Sequence, residues 1–436
     1  MHRRVLSCLF LCASGILPEG VASVAAADAL PPLHAVAPRV ALAPEPVRSR
    51  YWQGIVSPEH ARAEQLVRHG RALLYPALGL GLLLGNEVAL QRRIAVESAL
   101  ARFERAVELA PDLREARLFY GKALAFWEHR DDDGQLRSRA DEAVQQLHAL
   151  RALDPLYEAQ EVAFQLGVLH SRQGDFAAAV REYERSLALD SDGDDNGTLL
   201  GNLAEVTMLR GDLPRALALY ERAARVSEEG GRVLSLWGVA VALDRLGERK
   251  AALEQARRAM QQDRAPLAVL RQNGVFFVPA YERSYYEALG ALALADAVRE
   301  PGEQLSTLAA RGASWLSVPE SLSTLTLFER ALAELSDTPH AALVAPLSLR
   351  VTRAQRELSK LALRGPPTHN TSARVEPTTR PAGEPLPQAR EAVCLLWLLR
   401  SLAGFASYVQ QDGGKGPFAD DAREHLVDLS HALSRP

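Results

Sequence analysis

The chain runs to 436 residues with 50 Lys and Arg against 54 Asp and Glu, a formal net charge of −4. That balance gives no electrostatic footprint for nucleic acid or an anionic membrane surface. Cysteines stand only at 8, 12 and 394, too few for a disulfide framework; Cys394, within the apolar run Val393 to Trp397, reads as a buried structural thiol.

In chain order, Arg3 and Arg4 precede an apolar stretch from Val5 to Leu17, and small residues follow at Ala25, Ala26 and Ala27. This is the pattern of a secretory signal over residues 1–27, with cleavage expected after Ala27. Val5-Leu6-Ser7-Cys8 has the letters of a lipoprotein box, but the four residues before it leave no apolar core for recognition. Residues 28–57 carry Pro31, Pro32, Pro38, Pro44 and Pro46 among Ala and Val and read as an extended tether. Ala72 to Leu90 is broken by Pro76, Gly79, Gly81, Gly85, Asn86 and Glu87, so it predicts a buried helical hairpin rather than a membrane span. No later run of about 18 uninterrupted apolar residues is read from the sequence.

A repeating pattern then takes over. Ala99, Phe103, Ala106 and Pro111 suggest the second helix of one unit; Tyr120-Gly121 and Leu124, then Ala143, Leu147, Leu150 and Pro155, suggest a further pair around an enlarged turn at Asp131, Asp132, Asp133 and Gly134. Three closer copies follow. The first holds Leu166-Gly167, Gly174-Asp175, Ala179, Tyr183 and Ser186; the second Leu203-Ala204, Gly211-Asp212, Ala216, Tyr220 and Ala223; the third Val239-Ala240, Gly247-Glu248, Ala252, Ala256 and Ala259. Gly174, Gly211 and Gly247 are displaced by 37 and then 36 residues. Such a period marks helix-turn-helix units that bury a continuous core only by stacking.

These residues and spacings resemble the tetratricopeptide repeat family. The resemblance implies an all-α solenoid of stacked antiparallel helix pairs over 58–300, with small residues at Gly167, Ala204 and Ala240 where helices meet closely and Tyr183 and Tyr220 filling space between units. It also implies a concave face lined by the first helix of each unit. In this register Phe164 and Val168, Glu205 and Met208, and Trp237 and Val241 point inward and are the candidate partner-binding residues. The lysine and asparagine carboxylate clamp of the chaperone-binding members is not found, and the apolar strip that remains suits a peptide segment anchored by aliphatic or aromatic side chains.

Between copies, Asp190, Asp192, Asp194 and Asp195 alternate in an acidic loop. A calcium loop starting at Asp190 needs glycine where Asp195 stands and glutamate where Gly201 stands, so a solvated loop is the expected reading, with Asp190, Asp192 and Asp194 kept as a calcium alternative. Phe276, Phe277, Tyr281 and Tyr285 cluster between Gly274 and the next helix, an aromatic insert expected to pack on the array, with a partner pocket as the alternative. Residues 301–363 read as divergent repeats or a cap, 364–388 as a Pro- and Thr-rich linker, and 389–436 as a C-terminal helical hairpin folding back on the array.

No catalytic constellation emerges: there is no His-Glu-x-x-His, nucleophile elbow or Cys-x-x-Cys, and Gly413-Gly414-Lys415-Gly416 lacks phosphate-loop spacing. The expectation is an exported, non-catalytic scaffold without cofactor. Its partner would be a peptide segment or an envelope protein in a bacterial periplasm or outside the cell. An accessory subunit binding a glycan or other ligand is the alternative.

Overall fold

The computed structural model describes residues 55–79, 86–130, 136–190, 196–262, 282–299, 325–326, 328–330, 333, 341–363, 387–411 and 416–434. The signal, most of the tether, residues 301–324, the linker through 386 and the candidate residues Asp192, Asp194, Phe276, Phe277 and Tyr281 lie outside them. The chain is all-α in plan, and its described residues form two compact units that meet in sequence near residue 191.

The first unit holds α1 (Pro58–Gly79), α2 (Asn86–Leu109), α3 (Arg114–Phe126), α4 (Ala140–Leu153), α5 (Ala159–Gln173) and α6 (Phe176–Leu189). Consecutive helices pack as antiparallel pairs, and α3 touches both α1 and α5, so the first helices lie side by side. The enlarged turn between α3 and α4 is framed by two three-residue antiparallel strands, β1 (Glu128–Arg130) and β2 (Leu136–Ser138), with Glu128 opposite Ser138. The helical spacing of the repeats predicts no strand there. Salt bridges join neighbouring pairs: Arg71 to Glu115 at 2.5 Å, Lys122 to Glu161 at 2.5 Å, and Arg151 to Glu182 at 2.5 Å.

The second unit contains α7 (Gly197–Leu209), α8 (Leu213–Val226), α9 (Glu229–Arg245), α10 (Arg249–Gln262), α11 (Arg283–Arg299), α12 (Ala341–Leu363), α13 (Pro387–Gln411) and α14 (Ala419–Ser434). Pro387 opens α13, where its missing N–H costs nothing. Among the described residues, Glu391–Gln411 is long and apolar enough to cross a membrane by length and composition. Most of that stretch is buried inside the unit, as in the core helix of a folded domain.

The three glycines occupy equivalent turns. Gly174, Gly211 and Gly247 have φ of 78°, 86° and 81°. Each donates to the carbonyl three residues back (Ser171, Met208, Asp244), and the following residue donates to the carbonyl five back (His170, Thr207, Leu243). This Schellman arrangement satisfies the last carbonyls of the first helix. Asp175 and Asp212 then cap the second helix, their carboxylates accepting from Ala178 N at 2.9 Å and Arg215 N at 3.4 Å. In the second helices, Ala179, Tyr183 and Ser186 repeat as Ala216, Tyr220 and Ala223, then as Ala252, Ala256 and Ala259, and every one is buried. One apolar stripe at helical spacing thus repeats with the sequence period.

Candidate functional site

The first-helix faces differ between the two units. In the first unit Phe164 and Val168 stay half-buried on α5. Phe164 rests its ring 6.0 Å from Tyr183. Beside them Glu161 accepts from Lys122 Nζ of α3 and from Gln165 Nε2 at 3.1 Å, so α5 presents its two apolar residues beside an ion pair that ties it to α3. Glu161, Gln165 and Val168 fall at i, i+4 and i+7, on one side of the helix.

In the second unit Glu205 is 2% exposed, and Met208, Trp237 and Val241 are 0% exposed. The sequence register had put all four on an open concave face; the structure removes them from solvent. The cause is the rest of the unit, which covers the inward side of α7 and α9. Tyr286 of α11 donates to Glu205 Oε2 at 3.3 Å, and Tyr220 of α8 donates to the same oxygen. Tyr285 donates to Asp244 Oδ2 at 2.6 Å, and His425 Nε2 of α14 sits 2.8 Å from that atom. Arg245 donates to Met208 O at 2.8 Å and to Pro417 O at 3.1 Å, and pairs with Asp421 at 3.3 Å. α7 is buried over its whole circumference from Leu199 to Leu209, so its polar residues Asn202, Glu205 and Thr207 need partners inside the unit.

Tyr285, expected in an aromatic insert, is part of the core. Its ring meets Phe405, Tyr408 and Phe418 edge-on at 5.1, 5.5 and 5.3 Å. Asp190 of the acidic loop accepts from Gln160 Nε2 at 3.0 Å, and Asn196 caps α7 by accepting from Leu199 N at 3.1 Å. Among the described residues no cluster of three or more His, Cys, Asp or Glu side chains is arranged to hold a metal ion.

Sequence reasoning missed a buried acidic centre in the second unit. Glu282, 0% exposed, lies beside Glu205. Burial pushes the carboxyl of Glu282 well above the usual carboxylate range, with the Glu205 charge adding to it, and burial raises Glu205 as well. The two titrate as a pair that keeps a proton where an exposed carboxyl has lost its own. Burial also raises the hydroxyls of Tyr220, Tyr285 and Tyr286, which therefore stay protonated as donors. Glu205 and Glu282 stand 77 positions apart in the chain, and no local pattern joins them.

No model of a known protein family matches the chain. Over 62 residues, 14% of its length, the chain is 39% identical to a photosystem I assembly protein Ycf3 of Synechococcus sp. (strain WH7803). It is 37% identical to the Ycf3 protein of Synechococcus sp. (strain CC9311) over a stretch of the same size. The match spans 36% of the length of each of these relatives. Among solved structures, a MamA protein superposes with a TM-score of 0.32 at 18% identity, covering 42% of this chain and 89% of that one. The P58(IPK) TPR domain covers 88% of this chain and 96% of its own, with a TM-score of 0.23 at 11% identity.

Proposed function

We propose that this chain, a tetratricopeptide repeat protein, is an exported, non-catalytic scaffold that holds another protein on the first-helix face of its first unit. The observation that carries the reading is the contrast between the two faces. In the second unit Trp237, Val241 and Met208 are consumed by internal packing, whereas Phe164 and Val168 stay partly open beside Lys122 and Glu161. An apolar strip with a charged flank suits an amphipathic or extended segment whose aliphatic side chains enter the strip.

Export rests on the residue pattern of 1–27, and it makes an envelope or secreted protein of a bacterium the natural partner. The relatives matched over 62 residues carry the name of assembly proteins, and holding other proteins during assembly is work of the same class. Affinity capture from the native host, with the chain from Asp28 onward as bait, tests both halves of the proposal. A specific protein should be retained, and mass spectrometry of the host's own protein should find an N-terminus near Asp28. A retained Met1, a lipidated Cys8, or no partner above background would count against it.

A further inference from the structure

The second unit contains a helix, α14, whose side facing the repeats carries a row of charged residues. The residues of α14 that face α9 and α10 lie along one stripe at i, i+3, i+4 and i+7. Asp421 pairs with Arg245 at 3.3 Å, Glu424 with Arg249 at 2.8 Å, His425 with Asp244 at 2.8 Å, and Asp428 with Arg249. It packs chiefly against α13. Tyr408 of α13 accepts from Phe418 N at 3.0 Å, and Phe405 of α13 stacks on the His425 ring at 4.4 Å.

The seat is also incompletely filled. A cavity of about 180 Å³ remains between α14 and the helices under it, lined on one side by charged groups, Asp244, Arg249, His425 and Asp428 among them, and on the other by apolar side chains that include Leu429 of α14 and Leu253 of α10. Asp244 Oδ1, at the cavity wall, is buried without a protein donor. A seat of arginine–carboxylate pairs beside a partly apolar void lacks the close packing that makes a core contact irreplaceable.

We propose that α14 is an exchangeable occupant, and that the Arg245–Arg249 seat recognises amphipathic helices carrying carboxylates seven residues apart. A partner helix with that spacing reproduces the pairs made by Asp421 and Asp428 and takes the place of α14. Arg249, still 38% exposed, is the point of first encounter. Arg245, 8% exposed and stacked 4.2 Å over the Phe418 ring, holds the helix start longest. This rests on the reading of the chain as a protein-binding scaffold but uses a different surface, so capture on the α3–α5 face can fail without affecting it.

The test uses the full chain and a labelled synthetic peptide of residues 416–434. Asp421→Asn, Glu424→Gln and Asp428→Asn together should loosen α14, so this variant should bind the peptide at least tenfold tighter than the wild type does. Its 419–434 amides should exchange faster, with the thermal midpoint of the array retained. Arg249→Glu, on the seat side, should likewise speed exchange in α14 yet gain no affinity for the acidic peptide. The proposal is overturned if the triple variant and wild type bind the peptide equally or not at all. It is overturned equally if the 419–434 amides of the triple variant exchange only with global unfolding.

Discussion

The ring of Tyr183 lies directly against the backbone of Gly167: a Cβ placed on that glycine would stand 2.6 Å from the ring carbons. Ser171 locks the contact by donating to Gly167 O at 2.8 Å and meeting Tyr183 Oη at 3.2 Å. Gly167→Leu must therefore push α5 and α6 apart, at about 1 to 3 kcal/mol. Thermal denaturation should show a lowered midpoint, and an unchanged one would contradict the close approach.

The turn glycines give a cleaner backbone test. A Cβ at Gly211 meets nothing within 4 Å, so Gly211→Ala changes no packing and reports only the left-handed φ of 86°. The expected loss is about 1 to 2 kcal/mol. Because Gly174 and Gly247 sit in the same turn, their alanine variants should lose similar amounts in denaturant titrations.

Trp237 was expected to anchor a partner and is instead among the largest fully buried side chains. Trp237→Ala should cost about 3 to 5 kcal/mol of stability. A variant with native thermal stability would show that the indole is not in the core. Loss of partner binding in this variant would report unfolding of the second unit and not loss of a contact.

The repeat period, the three turns and the second-helix stripe were legible because each follows from local chemistry: a glycine that must turn left, an aspartate that must cap, and alanines at helical spacing. The fate of the first-helix faces was not. Whether Glu205 and Asp244 meet solvent or protein depends on α11 and α14, and periodicity cannot say where a later segment docks. The pairing of Glu205 with Glu282, like that of Asp244 with His425, is likewise a long-range result with no local sequence signal.

The buried acidic centre sets a pH dependence. The folded chain holds the Glu205–Glu282 proton above the usual carboxylate value of 4.5, so the unfolded chain releases it first as pH rises. The pair's contribution is fully present below about pH 4.5 and is lost as pH climbs through the raised folded value, with a slope of up to about 1.4 kcal/mol per pH unit for one proton. Glu282→Gln removes one titrating group, so its unfolding free energy should fall less between pH 5 and 8 than that of the wild type. Parallel pH profiles would refute the shared proton.

The central claim, that the open α3–α5 face holds a protein partner, is tested most directly by the affinity of a captured partner for the Phe164→Ala, Val168→Ala double variant. The account predicts weakening by about 2 kcal/mol or more, roughly 30-fold, with helical content and thermal midpoint close to wild type. Undiminished affinity in a folded double variant would contradict it and place the binding surface elsewhere on the chain.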